Sequence, residues 1–258
     1  MSEISPRAEI SPNAKIGNNC KIFPFVYIED DVVIGDNCII FPFVSILNGT
    51  RMGSHNKIHQ GSVIGALPQD FNFSGEKSEC IIGNNNIIRE NVVINRATHT
   101  GGKTVIGDNN VLMEGSHISH DTKVDNDCVF GYGTKIAGDC EIGHGVIFSS
   151  SVIENAGTRV GTGAMIQAGT TFSKDVPPYI ICSKRSEYGG VNYTMGRSYG
   201  VDEKTLKHIA NAYRLVYLSN TSLFDAVKQI EDQVPDGPEI RNIIEFMRAT
   251  KLGVIGKK

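Results

Sequence analysis

Residues 10–40 read ISPNAK-IGNNCK-IFPFVY-IEDDVV-IGDNCI-I, with an isoleucine at every sixth place. The series runs on through Ile46, Met52, Ile58 and Ile64, so ten successive sixth positions from Ile10 are aliphatic. It resumes at Ile82, Ile88 and Ile94, then from Ile106 through Leu112, Ile118, Val124, Phe130, Ile136, Ile142 and Phe148, and again at Val160, Ile166 and Phe172. An α-helical face recurs every 3.6 residues, so a period of six belongs instead to a parallel β-helix. Each hexapeptide is then one short strand and one turn. A second inward position four residues on holds compact side chains, among them Cys20, Val26, Cys38, Thr122, Cys128 and Cys140. Glycine often follows the aliphatic residue, as at Gly17, Gly35, Gly53, Gly65, Gly83, Gly107, Gly143 and Gly161, where it is expected to supply unusual corner dihedrals. Three hexapeptides make one coil, as in known hexapeptide solenoids, which puts Cys38 directly over Cys20.

Working outward, two stretches leave the repeat without losing its phase, one near residues 66–80 and one near 95–103. Both read as loops ejected from corners, the places where solenoids commonly line binding surfaces. The repeat is expected to end after Asp175-Val-Pro-Pro178, because consecutive prolines lack ladder donors. The β-helix is therefore assigned to 1–190 and a small helical domain to 191–258. Asp202 can cap a helix carrying Leu206, Ile209, Tyr213 and Val216; Ser222 can cap one carrying Leu223, Val227 and Ile230; Pro238 can open a third with Ile240, Ile243, Ile244 and Met247.

Bulk properties exclude several classes. A net charge of −3 supplies no global basic field, so nucleic acid is not an expected partner. The N-terminus, MSEISPRAEI, has no secretory pattern and no apolar run reaches membrane-span length, so a cytoplasmic protein without stable membrane insertion is expected. Six cysteines without any C-x-x-C pair read as reduced core residues rather than a metal or redox motif.

The string His117-Ile-Ser-His120-Asp121 sets two imidazoles and a carboxylate beside one corner. Imidazole is the natural proton acceptor near neutral pH. One coil on, Gly138 falls above His120 and Asp139 above Asp121. A base beside a glycine with an unobstructed amide can deprotonate an attacking hydroxyl while that amide holds the resulting oxyanion, which is acyl-transfer geometry. Taken alone, such a histidine pair can also be ordinary surface.

Here the residues resemble a family. Gly65-x-x-x-Gln69-Asp70, Ile88-Arg89-Glu90-Asn91, His117-Ile-Ser-His120-Asp121, Ala137-Gly138, Asp175-Val-Pro-Pro-Tyr179, Val191-Asn192 and Asn211-Ala-Tyr-Arg214 look like the UDP-N-acetylglucosamine O-acyltransferases of lipid A biosynthesis, over nearly the whole chain. The resemblance implies a left-handed parallel β-helix with a C-terminal helical domain, and a homotrimer with active sites between adjacent prisms. It implies transfer of an (R)-3-hydroxyacyl group from acyl carrier protein to the sugar 3-hydroxyl of UDP-N-acetylglucosamine, with no metal or cofactor. Carried over by position, His120 is the general base, Asp121 its orienting partner and Gly138 the oxyanion amide. Asp70, Gln69, His117, Asn192, Arg197, Asn155 and Ala168 fall at substrate-binding positions, Ala168 with Gln167 where the family measures acyl length.

Departures from the family pattern fall on the nucleotide clamp: Asn72, Asn95, Asp139 and Asn155 replace one lysine and three histidines, and Ser198-Tyr199 stand where an arginine pair is expected. Glu154 occupies an aliphatic slot, and a lone buried carboxylate is costly. A local bulge turning it outward is the expectation, with pairing to a cation such as Arg159 as the alternative. Lys174, Lys184, Arg185, Arg197, Lys204 and Lys207 crowd the junction with the helical domain, where an acidic carrier protein could dock. Other readings meet obstacles. The sister N-acyltransferases carry a domain before the prism; a γ-type carbonic anhydrase needs three imidazoles on zinc, typically two of them five residues apart; and a polymerising scaffold needs open ends.

Overall fold

A computed structural model describes residues 1–194, 200–219 and 221–257. Short parallel strands, most of two residues, stack into three sheets of eleven, nine and eight strands that form the faces of a prism. Each strand pairs with the one a full coil later, so Lys21 and Ile22 face Ile39 and Ile40, and His117 and Ile118 face Lys135 and Ile136. Across the first loop the partner lies thirty residues away, as in Met52↔Ile82, and across the second twenty-four, as in Ile82↔Ile106. Both offsets are multiples of six, which is why the phase survives.

The repeat residues fill the interior: Ile40, Ile58, Ile94, Ile118, Phe130 and Phe148 are completely buried. Phe130 and Phe148, one coil apart, stack with ring centroids 5.0 Å apart. All six cysteines are free and buried, as expected of core residues. Burial pushes the Cys38 thiol up to about 11 and the Cys80 thiol to about 12, which keeps both protonated and inert.

Of the glycines after the aliphatic residue, Gly65 has the expected left-handed dihedral, with a φ of 74°, but Gly17, Gly35, Gly83 and Gly107 serve a different purpose. At those corners the left-handed dihedral falls two residues later, on Asn19, Asn37, Asn85 and Asn109, and at the corresponding corner after Val124 on Asp127. Asn and Asp tolerate that region through local side-chain hydrogen bonding. Gly17 and Gly35 are instead required by close approach of successive coils: a Cβ on Gly35 would lie 2.6 Å from the carbonyl carbon of Gly53. Gly35→Ala is expected to force the coils apart at this corner and cost about 2 kcal/mol. That lowers the melting temperature by roughly 6 °C, measurable by scanning calorimetry.

The parallel ladder also continues past the prolines. Val176 bridges Val160, and Ile180–Cys182 pairs in parallel with Met165 and Ile166 before an antiparallel strand, Tyr188–Val191, covers it. Pro177 and Pro178 sit between these pairings, where no ladder amide is required. The helices form where their caps and spacing place them: α1 Glu203–Tyr217, α2 Leu223–Gln233 and α3 Pro238–Ala249. Asp202 accepts from Thr205 N at 2.7 Å, Ser222 from Asp225 N at 3.1 Å, and α3 starts on Pro238. Docking to the prism is specific. Tyr213 of α1 is fully buried and donates to Pro178 O at 2.5 Å, Asn242 of α3 donates to the Tyr179 hydroxyl at 3.1 Å, and Arg159 lies 4.5 Å over the Phe246 ring. Buried Asp175 takes the Arg159 amide at 2.9 Å and the Thr250 hydroxyl at 2.7 Å. No described helix is long and apolar enough to cross a membrane.

Glu154 contradicts the expected bulge. It lies in register between Ile136 and Phe172, points into the prism and is 0% exposed. Nor does Arg159 reach it, since that guanidinium pairs with Glu141 at 3.2 Å. One carboxyl oxygen accepts from the Thr158 hydroxyl at 2.9 Å, and the other has no hydrogen-bond partner. Burial is the main cause that raises its pKa to about 8, against a smaller lowering by Thr158 and Cys140. The residue therefore resides in the core largely as a neutral acid, which answers the desolvation problem by protonation rather than pairing.

Candidate active site

Ile118 is buried, so its strand neighbour His117 projects from the other side of the backbone, and His120 stands two residues on, at the corner. Asp121 then turns the chain with a φ of 59°, its amide held by the Thr104 hydroxyl at 2.9 Å. This places its carboxylate beside its own neighbour: Asp121 Oδ2 lies 3.0 Å from His120 Nδ1. A carboxylate can only accept, so the Nδ1 proton stays on the ring and the lone pair of the neutral imidazole is on Nε2. His120 is 9% exposed. Its Nε2 faces Asp70 Oδ2 at 3.8 Å, brought across by the first ejected loop.

Gly138 completes the stack. A Cβ there would lie 2.4 Å from His120 Cε1 and 2.7 Å from Nε2, so only glycine leaves room for the ring. The amides on either side are engaged, Ala137 N with Glu154 O at 3.0 Å and Asp139 N with His120 O at 3.1 Å. Between them, Gly138 N–H makes no hydrogen bond among the described residues. Gly138→Ala is expected to displace the imidazole and lower activity about a hundredfold, with the melting temperature changing by only a few degrees. Steady-state kinetics beside a thermal scan check this.

Both loops bind to this corner. Asn95, fully buried, accepts from His117 Nε2 at 2.6 Å and donates to Leu67 O at 2.6 Å. Burial, with Lys135 and His120 adding, holds the His117 imidazole below the usual histidine range, so it is neutral at neutral pH. Asp70 is kept in place by a turn in which its Oδ1 accepts from Asn72 N at 2.7 Å. From the second loop, the Thr98 amide and hydroxyl donate to Asp121 Oδ2 at 3.0 and 2.8 Å, and His99 Nδ1 lies 3.2 Å from Asp121 Oδ1. Thr98 and His99 are not among the residues singled out from sequence. Their one signal is position in an ejected, glycine-containing loop.

The structure thus gathers His120, Asp121, Gly138, Asp70 and His117. Gln69 is exposed on the same loop as Asp70, and Asp139 and Asn155 are exposed at the same prism edge as His120, on the next coil and the one after. Gln167 and Ala168 are exposed at the other edge of the nine-stranded face. Asn192 is buried, donating from Nδ2 to Gly163 O at 3.0 Å and from its amide to Tyr179 O at 2.8 Å. Arg197, Ser198 and Tyr199 lie outside the described residues.

Comparisons with known proteins agree with this reading of the fold. The profile of the bacterial transferase hexapeptide family, six repeats, matches residues 13–40, 31–66 and 103–138. Fold and repeats make the chain a hexapeptide-repeat transferase, a left-handed parallel β-helix with a C-terminal helical unit. Residues 175–255 match domain 2 of UDP-N-acetylglucosamine O-acyltransferase. An acyl-[acyl-carrier-protein]–UDP-N-acetylglucosamine O-acyltransferase of Chlorobaculum parvum is 43% identical, with 100% of this chain and 97% of the relative covered. One of the same name from Sulfurihydrogenibium is 44% identical over 98% of this chain and 94% of its own length. Among solved structures, the UDP-N-acetylglucosamine acyltransferase of Bacteroides fragilis is 47% identical and superposes with a TM-score of 0.96, covering 98% of this chain and 99% of that one. The chain belongs to the UDP-N-acetylglucosamine O-acyltransferase family and is an acyltransferase.

Proposed function

We propose that the protein transfers an (R)-3-hydroxyacyl group from acyl carrier protein to the 3-hydroxyl of UDP-N-acetylglucosamine, the first step of lipid A biosynthesis, by general-base catalysis. The observation that carries the mechanism is His120, with Nδ1 on Asp121 and its ring against Gly138. His120 Nε2 takes the proton of the sugar hydroxyl as its oxygen attacks the thioester carbonyl. Gly138 N–H receives the oxyanion of the tetrahedral intermediate. Collapse of that intermediate breaks the carbon–sulfur bond, and the proton on His120 passes to the departing thiolate. Atoms and charge balance with no metal or cofactor. Asp121 stabilises the transient imidazolium and keeps the ring in the right tautomer. His117, Asp70 and Gln69 contact the sugar nucleotide.

Asn155, Ala168 and Gln167 are spread over two prism edges. They can face a single substrate only when copies of the prism pack side by side, which supports a homotrimer with active sites between subunits. Exposed Lys174, Lys184, Arg185, Lys204 and Lys207 form a docking area for the acidic carrier protein, and the enzyme works in the cytoplasm. Arg197 and Asn192 serve the nucleotide end of the site, Asn192 by supporting its floor from within.

The test is transfer from (R)-3-hydroxyacyl carrier proteins of increasing chain length to UDP-N-acetylglucosamine, read by mass spectrometry. A product with one preferred chain length supports the proposal. Product only with the 3-amino sugar nucleotide changes the acceptor, and no product with either acceptor overturns it.

A further inference from the structure

We infer that Asn95 is a positioning residue: its side-chain amide locks His117 as the tautomer protonated on Nε2, so that His117 Nδ1 is offered to the sugar nucleotide as an acceptor for a sugar hydroxyl or amide N–H. The inference deepens the proposed function and rests on it for the identity of the ligand. Hydrogen-bond logic carries it in three steps. Leu67 O is a backbone carbonyl and can only accept, so the Asn95 atom 2.6 Å away must be the Nδ2 donor. That orientation sets Oδ1 against His117 Nε2 at 2.6 Å, and an oxygen without a proton there requires the proton to be on Nε2. The ring is neutral, since burial, with nearby Lys135 and His120 adding, depresses its pKa, and the lone pair is therefore on Nδ1. Among the described residues Nδ1 makes no hydrogen bond, and it is not sealed from solvent.

Asn95 can impose this because its own amide cannot turn. It ends strand Val93–Asn95, lies opposite Ala66 in the ladder and is 0% exposed. A flipped amide would press Oδ1 against Leu67 O in a place that water does not reach, whatever the tautomer of His117. Arg96 clamps the same loop: its amide donates to Ala66 O at 2.9 Å, Nη1 donates to Asn48 O at 3.0 Å, and the guanidinium lies 5.6 Å from the Phe73 ring centroid. Lys135, paired with His117 across the ladder, does not fill Nδ1; its ammonium is engaged by Gly115 O at 2.5 Å. His120 holds its proton on Nδ1 through Asp121. The two imidazoles thus carry opposite tautomers, one with its base at Nε2 and the other with its acceptor at Nδ1.

A ligand group that meets His117 Nδ1 has to bring the proton. Sugar hydroxyls and the acetamido N–H do so, whereas the oxygens of an ionised diphosphate have none to give and are repelled by the lone pair. His117 is thereby assigned to the sugar end of the nucleotide.

Two measurements test this. Long-range proton–nitrogen NMR of protein carrying isotope-labelled histidine reads the tautomer at neutral pH, with the His117 signals identified by their loss in His117→Gln. Wild type is expected to show a protonated Nε2 and a bare Nδ1, and Asn95→Ala should shift both signals toward the average of the two tautomers. The reverse tautomer in wild type, or unchanged signals in Asn95→Ala, overturns the inference. Titration calorimetry with UDP-N-acetylglucosamine and with UDP alone reads the ligand. Glutamine at 117 places an amide near the Nε2 position, where it can still donate to Asn95, and has nothing at the Nδ1 position. His117→Gln should therefore weaken UDP-N-acetylglucosamine about tenfold while UDP binds as it does to wild type and the melting temperature stays within a few degrees. A role confined to packing would lower the melting temperature and weaken both ligands. Equal loss for both ligands, or no loss for either, overturns the assignment of Nδ1 to the sugar. Neither the wild-type spectrum nor the calorimetry depends on how well Asn95→Ala folds. Failure of wild type to bind UDP-N-acetylglucosamine would count against the proposed reaction and the ligand assigned to Nδ1, leaving the spectra to decide on Asn95.

Discussion

Replacing His120 with alanine lowers kcat/KM for acyl transfer by at least about a thousandfold, the scale on which a positioned general base contributes. The fold should not notice. His120 sits outside the aliphatic columns, and its backbone ladder contact, Asp139 N to His120 O at 3.1 Å, does not depend on the side chain. The variant should therefore retain the wild-type oligomeric mass and melt within a few degrees of it. Single-turnover kinetics and analytical ultracentrifugation check both halves. Undiminished turnover would remove His120 from the mechanism, and an unfolded variant would leave Gly138→Ala as the test of the same geometry.

The second large effect concerns stability. Glu154→Ile restores the aliphatic slot and should raise the melting temperature at pH 8 by roughly 10 °C, whereas near pH 4 the gain should be markedly smaller. The sign follows from the raised pKa. The folded-state value is about 8 against 4.5 for the free side chain, so below about pH 4.5 the acid is neutral in both states and folding carries no cost of keeping a charge out of water. As pH rises toward 8 the unfolded chain loses its proton while the core retains it, and stability falls by on the order of 4 kcal/mol across that window. Glu154→Gln, isosteric and uncharged, should flatten the same pH dependence with a smaller gain. Thermal melts from pH 4 to 9 distinguish the cases; parallel curves for wild type and Glu154→Gln would show that Glu154 ionises alike in the folded and unfolded states, and so is not held neutral by the core.

Much of this architecture is legible in one dimension because a β-helix converts sequence offsets directly into spatial neighbours. Adding one coil to His120 gives Gly138, and the structure sets the His120 ring against Gly138. The helix caps Asp202 and Ser222 are equally local, which is why their reading carries over. Three things are not local. The ejected loops obey no column rule, so nothing in the spacing says that Thr98 and His99 fold back onto Asp121. The corner glycines look like turn residues, yet the close contact of successive coils imposes them. Glu154 looks like a violation of the pattern that ought to escape outward; instead the ladder holds it inward and the side chain gives up its charge.

The register offsets across the two loops carry a broader consequence. Because each insertion preserves a whole number of hexapeptides, the strands above and below pair as though nothing had been added. A loop of this kind is a plug-in unit: its length can change in steps of six and its side chains freely, while the scaffold that aims His120 stays fixed. Selection can then retune the surroundings of the base, by an asparagine against His117 or a histidine against Asp121, without passing through a misaligned prism.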